Sequence, residues 1–250
     1  AFDLPPCGSL LLFLPKAKRA PVPAAKETVA ILQPVGAPTA KRIEPNVLTI
    51  DYVDVAAGGE RKAAQYVYQA GQFAFQKNGL PRNPWDSAVQ FKDELISKKF
   101  AADSGVEATY RFTIEDKVPA PLFIVIERSD LYAITCNGKA VSAAKNAWWL
   151  DKAFGRIDIT TAAKVGENAV TIKAAPFTMY HEIEAAYVLG DFTLKATERG
   201  FVIAPDQGVK LGRWNDQGCP FYATGVSYVE KFDLPSLAGR YRVSMPKWYG

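Results

Sequence analysis

Between residues 212 and 232 the sequence reads GRWNDQGCPFYATGVSYVEKF, which gathers Trp214, Asn215, Gln217, Phe221 and Tyr222 within nine positions. Side chains of these types recognise sugars: an aromatic face stacks on the C–H face of a pyranose, and amides bond its hydroxyls. The same residues also suit a core. Burying a large aromatic removes about 150–250 Å² from water, worth several kcal/mol at about 25 cal/mol per Å². That gain favours packing of Trp214 and Phe221 between sheets, with Gln217 tying a loop and Gly218-Cys219-Pro220 fixing a turn. Trp148 and Trp149 are adjacent, so in a strand they face opposite sides. One enters the core, and the other, taken as Trp149, joins Trp214, Asn215, Gln217 and Tyr222 as a carbohydrate-binding candidate. Trp85, in NPWD beside the Asn83-Pro84 turn, reads as the anchor of a module boundary.

Ionisable groups give weaker signals. His181 is the sole histidine, beside Glu182 and Glu184 in MYHEIEAAY. It has no second histidine with which to share a metal and no nucleophile elbow to serve, so no catalytic residue is assigned. Asp151, Asp158 and Asp191 are the candidates for a structural calcium, which needs about 6–8 oxygens; turn and cap roles explain them better, and no cofactor or metal site is assigned. Asp93-Glu94 and Glu115-Asp116 read as solvated faces. Neither a phosphate-cradling glycine loop nor a dinucleotide fingerprint is present, so nucleotide cofactors are unsupported.

Composition sets wider bounds. A chain of 250 residues can bury a large core, and 48% hydrophobic against 22% charged residues reads as globular. Its +4 net charge is dispersed, which argues against nucleic acid as a partner. The longest apolar run, LLLFL at 10–14, is strand-sized, far short of the roughly 20 residues that span a bilayer, so no membrane partner is expected. Cys7, Cys136 and Cys219 lack metal-ligand spacing and read as buried free thiols, with one disulfide left open. The chain begins at Ala1 as though already inside a fold, and is expected to be a piece of something longer.

The elements that must position these residues read as mainly β. Residues 15–45 carry six prolines and read as an extended connector. NVLTIDYVDV reads as one strand, and residues 60–76 as the one short helix, stopped by Asn78-Gly79. Beyond residue 108 short strands recur, and Asn137-Gly138 between apolar flanks predicts a hairpin. AVQFKDELI at 88–96 and GVSYVEKFDL at 225–234 each precede a Tyr-Arg strand; this echo favours a strand over a helix at 88–96.

LYAITCNGKAV, AWWLDKAFGRIDITTAAKVGENAVTIKA, YVLGDFTL and QGCPFYATGVSYVEKFDL resemble the galactose-binding-like sandwich modules of family 2 glycoside hydrolases. The closer likeness is to the C-terminal region of α-L-rhamnosidase-like enzymes of family 106. It is strong over 83–245 and looser before, where FDLPPCGSLLLF and NPWDSAVQF are similar to connectors. The resemblance implies a galactose-binding-like jelly-roll β-sandwich at 83–223, preceded by a strand, connector and linker at 1–82. Residues 224–250 then start a second, truncated module or complete the first. It also implies a catalytic barrel elsewhere in the same polypeptide as partner, and a secreted or periplasmic location. The function expected is a non-catalytic accessory region of a large glycoside hydrolase, structural and carbohydrate-binding. The alternatives are a stand-alone carbohydrate-binding module or lectin, and an enzyme with its own hydrolase or lyase site around His181.

Overall fold

The computed structural model describes residues 31–87, 93–236, 238, 241 and 242. In chain order it contains strands β1 (Thr39–Arg42), β2 (Asn46–Ile50), β3 (Tyr52–Ala57) and β4 (Glu60–Tyr66), helix α1 (Val67–Lys77), and a single helical turn α2 (Asp93–Ile96). There follow β5 (Val106–Ile114), β6 (Leu122–Glu127), β7 (Ala133–Cys136), β8 (Lys139–Val141), β9 (Trp148–Trp149), β10 (Asp151–Asp158) and β11 (Gly166–Ala174). The last four are β12 (Ala186–Gly190), β13 (Phe192–Ala196), β14 (Phe201–Pro205) and β15 (Val226–Val229). The fold is mainly β, as the alternating sequence pattern requires.

Two sheets face one another. One has the order β2-β12-β6-β10-β9, antiparallel throughout. The other runs β13-β14-β5-β11-β7-β8, with β3 pairing to β5 and β4 to β3. Period-two alternation sends Leu48, Ile50, Ile124, Ile126, Ile157 and Val188 inward from the first sheet. They meet Val55, Tyr110, Phe112, Val170, Ile172 and Phe192 from the second in one continuous core. Each such side chain contributes roughly 1.5–3 kcal/mol of burial, and this shared core joins the two sheets. Cys136 and Cys219 are buried free thiols; Cys7, the run at 10–14 and the start of the connector lie outside the described residues. No helix among the described residues is long and apolar enough to cross a membrane.

Gly36–Lys231 form one compact unit. The sandwich therefore begins before residue 83, since β2 and β3 pair with β12 and β5. At the other end β15 pairs with β1 as a separate two-stranded ribbon.

Three local readings change. NVLTIDYVDV is two strands, because the chain leaves one sheet at Ile50 and enters the other at Tyr52, with Asp51 O accepting a hydrogen bond from Val67 N. Residues 60–66 are strand rather than helix. Gly58 and Gly59, at φ +56° and +77°, make a tight turn that folds β4 back along β3, and Ala64 at φ +49° accommodates the register shift. Helix proper starts at Val67, buries Val67, Ala70, Phe73, Ala74 and Phe75, and stops where Asn78 Nδ2 donates to Ala74 O, as the Asn-Gly pair predicts.

The echo does not survive as shared structure. Asp93–Ile96 forms a helical turn closed by Ser97 N donating to Asp93 O, whereas the matching segment near 226 is strand. Residues 88–92 and most of 239–245 lie outside the described residues. The Asn137-Gly138 hairpin is present between β7 and β8, both residues at positive φ.

Candidate functional site

The corner predicted to carry aromatic sugar contacts is consumed by its own fold. Tyr222 is buried; its Oη accepts from the backbone N–H of Ile43 and Glu44, both at 3.1 Å, and donates to Gly225 O at 2.6 Å. Trp214 packs edge-on against Tyr222, ring centroids 5.8 Å apart, and donates its indole N–H to Tyr228 Oη at 2.8 Å. Gln217 accepts from Lys210 N and donates to Lys210 O and Arg213 O. Asn215 opens the 3-10 turn Asn215–Gln217. That turn ends on Gly218, at φ +76°, where an added Cβ would lie 2.2 Å from Thr193 Cγ2. The close approach lets Gly218 O accept from Leu194 N and Asn46 Nδ2, both at 2.9 Å. Cys219 lies beneath, its thiol pushed up by burial while the Arg42 guanidinium opposes the shift. Here Val209, Cys219 and Tyr222 form a small core that fastens the β1–β15 ribbon.

Trp149 lies in a different environment, and neither tryptophan of its pair enters the main core. Trp148 is exposed, and Trp149 packs on the outer face of the five-stranded sheet. Alternation sends Val47, Thr49, Tyr187, Leu189, Phe123, Val125, Glu127 and Phe154 to that face. Its floor is Val47, Val125 and Leu189, and its partly exposed rim is aromatic. Trp149 and Tyr187 have ring centroids 5.2 Å apart, and Phe154 and Tyr187 6.2 Å. Glu127 stands directly opposite Phe154 in the ladder, and Asp151 opposite Trp149.

Beside this strip, residues 179–185 form an ordered loop leading into β12. Three aromatic donors hold its carbonyls: Trp85 Nε1 on Met179 O (2.6 Å), Tyr132 Oη on Glu182 O (2.6 Å) and Tyr110 Oη on Glu184 O (2.7 Å). Trp85 thus anchors this loop, within one compact unit, rather than a boundary between modules. His181 is held at both ring nitrogens: Nδ1 accepts from Thr178 N at 2.8 Å and Nε2 donates to Leu131 O at 3.1 Å. Burial lowers its pKa, which suits a neutral imidazole in that tautomer. A depression of about 280 Å³ beside it is lined by Leu131, Ala133, Lys173 and Pro176, with no carboxylate.

Within this loop Ile183 is buried, Glu182 is half-buried and Glu184 is exposed. Burial, followed by the charges of Glu184, Glu127 and Asp86, raises Glu182 to about 7, against a hydrogen bond from Asn83. Burial and then Glu127 raise Glu184; burial and then Asp151 raise Glu127, with Arg128 opposing. Burial and then the charges of Glu184 and Glu127 raise Tyr187. The arrangement offers hydrogen-bond acceptors beside flat aromatic faces. Sequence reading missed Glu127 and Tyr187; the signal available was their alternation with core residues on LFIVIE and AYVLG.

The remaining acidic candidates do not assemble. Asp151 and Asp158 sit at opposite ends of β10, about 23 Å apart at about 3.3 Å per residue, and accept from Ala153 N and Thr160 N. Asp191 lies 3.8 Å from Arg42. These three cannot share one calcium. Among the described residues no cluster of three or more His, Cys, Asp or Glu is arranged to hold a metal. Glu115 pairs with Lys195 at 2.5 Å, and Asp93 and Glu94 are exposed.

No protein-family model and no curated protein matches the chain. Among solved structures it is similar to an FMN-binding β-glucuronidase from Facaelibacterium prausnitzii L2-6, with 13% identity and a TM-score of 0.35. The match covers 59% of this chain and 23% of that enzyme's chain, a distant likeness between β folds.

Proposed function

We propose that this chain is a non-catalytic β-sandwich accessory region of a large glycoside hydrolase of the α-L-rhamnosidase-like type, and that it holds carbohydrate on the outer face of its five-stranded sheet. The observation that carries this reading is the strip of Trp149, Tyr187 and Phe154, whose partly exposed rings adjoin Glu127 and Asp151. Trp149 is thus the carbohydrate contact, in place of Trp214, Asn215, Gln217 and Tyr222, most of whose polar groups serve the local fold. Engagement of both His181 nitrogens by backbone groups supports a structural role for that residue. The partner in this reading is the catalytic domain of the same polypeptide.

Titration with plant-type oligosaccharides, followed by tryptophan fluorescence, tests the proposal. Binding is expected in the wild type and in Trp214→Ala, and is expected to be lost in Trp149→Ala. A folded protein that responds to no glycan removes the carbohydrate role. Turnover of a glycoside panel that His181→Ala abolishes would instead support an enzyme.

A further inference from the structure

Arg156 is a cation on this strip that the fold leaves without a partner. It stands opposite Val125, the fully buried middle of the floor, and alternation puts it on the same face as Phe154 and Asp158. Its guanidinium carbon lies 4.9 Å from the centroid of the Phe123 ring, which stacks one face and leaves the N–H edge for another group. Arg42, Arg61, Arg111, Arg128 and Arg213 each pair with a carboxylate. Half-buried Arg156 forms no such pair among the described residues, and its Nε is buried without a hydrogen-bond partner. Unpaired donors at an aromatic surface lose hydration without gaining a bond, and a ligand that brings acceptor oxygens recovers that loss.

Glu127 is its counterpart of opposite polarity. It is half-buried opposite Phe154, forms no ion pair among the described residues, and is the diagonal neighbour of Arg156 on this face, about 7–8 Å away. The other carboxylates here each serve their own turn, Asp151 accepting from Ala153 N and Asp158 from Thr160 N. Lys152 adjoins Asp151, so both signs of charge surround the rings.

Resting on the carbohydrate reading above, we infer that Arg156 and Glu127 grip neighbouring hydroxyls of one uncharged sugar whose apolar face lies on the Trp149–Tyr187 strip. A guanidinium only donates and a carboxylate only accepts, whereas a hydroxyl does both. Adjacent hydroxyls of a pyranose can therefore take both groups at once, each oxygen facing Arg156 and a proton facing Glu127. A uronate would satisfy Arg156 but set its charge against Glu127, Asp151 and Asp158. An amino sugar would satisfy Glu127 but set its ammonium against Arg156 and Lys152. The mixed polarity thus selects the neutral sugar.

The test is calorimetric titration of the folded chain with β-1,4-linked hexamers of glucose, of glucuronate and of glucosamine, beside the neutral plant-type oligosaccharides named above. The tightest ligand is expected to be neutral and to bind at least about tenfold more tightly than either charged hexamer. Arg156→Met keeps an aliphatic stem over Phe123 and removes the donors; it is expected to weaken neutral binding at least about tenfold while unfolding in urea close to the wild-type midpoint. Arg156→Lys is expected not to restore binding, because an ammonium lacks the planar fork, and it carries the test should Arg156→Met fail to fold. Tighter binding of a charged hexamer overturns the neutral selection. Wild-type affinity in both Arg156 variants overturns the grip. Either result leaves the carbohydrate reading standing, whereas a folded wild type that binds none of these sugars removes that reading and this one together.

Discussion

Two regions of this molecule have nearly the same composition and opposite hydrogen-bond accounts. The corner around Trp214 and Tyr222 and the strip around Trp149 and Tyr187 each set aromatic rings beside polar side chains. In the corner, Tyr222 Oη makes three bonds to backbone groups, Trp214 donates to Tyr228, and Gln217 makes three bonds to its own loop. Beside the strip, the aromatic hydroxyls of Tyr110 and Tyr132 bond to backbone carbonyls, while Glu127, opposite Phe154 on the outer face, has no ion pair among the described residues. Residue type therefore does not distinguish a seam from a binding surface. What distinguishes them is whether the polar groups are already satisfied within the fold.

Stability measurements can break this contrast. The largest effect is expected at Tyr222→Ala, at about 4 kcal/mol, the range for removing a large buried aromatic, with the Glu44 N–H losing its acceptor and the Ile43 N–H keeping only Gly225 O. Urea unfolding reads it directly. Should that variant fail to fold, Tyr222→Phe removes only the hydroxyl and is expected to cost about 2 kcal/mol. A loss below about 1 kcal/mol in either would mean the corner is not the seam described.

The pH dependence of stability sharpens the other side. A carboxyl whose folded pKa exceeds its unfolded value holds its proton more tightly when folded, so stability falls as pH rises between the two values. For Glu182, ordinarily near 4.5 and raised to about 7, that window is pH 4.5 to 7. The difference between wild type and Glu182→Gln across it should be about 2 kcal/mol, less than the full shift implies because the group is partly exposed. His181, lowered by burial, acts in the opposite sense below its ordinary value of 6.5, and comparison with Glu182→Gln removes its contribution. No pH-dependent difference would mean that the loop's carboxylate is as well solvated as a surface one.

The smallest stability effect is expected at Trp149→Ala, about 1 kcal/mol or less, because its ring is partly exposed on the outer face rather than in the main core. That same variant should have the largest effect on glycan titration. If Trp149→Ala instead destabilises as much as Tyr222→Ala, the strip is a second core layer and the contrast disappears.

Much of the β framework was legible because its signals are local. Asn137-Gly138 marks its hairpin through two positive φ angles, and ATYRFTI, AVTIKA and FVIAP mark strands through alternation with period two. Residues 60–66 misled because Ala63 and Ala64 fit a helical spacing, while the Gly58-Gly59 turn that folds them onto β3 acts through pairing with another strand. At Asp51 alternation runs on unbroken although the chain changes sheet, since burial on either sheet asks for the same pattern.

The amino-acid sequence by itself determined that this chain folds mainly as strands around one large apolar core, because alternation, turn residues and composition each act within a few positions. The tertiary structure alone decided which aromatic residues close a seam and which line an open strip. Trp149, Glu127, Glu184 and Tyr187 come from three strands and a loop, and only pairing of those strands in register brings them together. Whether a tyrosine hydroxyl is already bonded depends on backbone groups as many as 179 residues away, as at Tyr222.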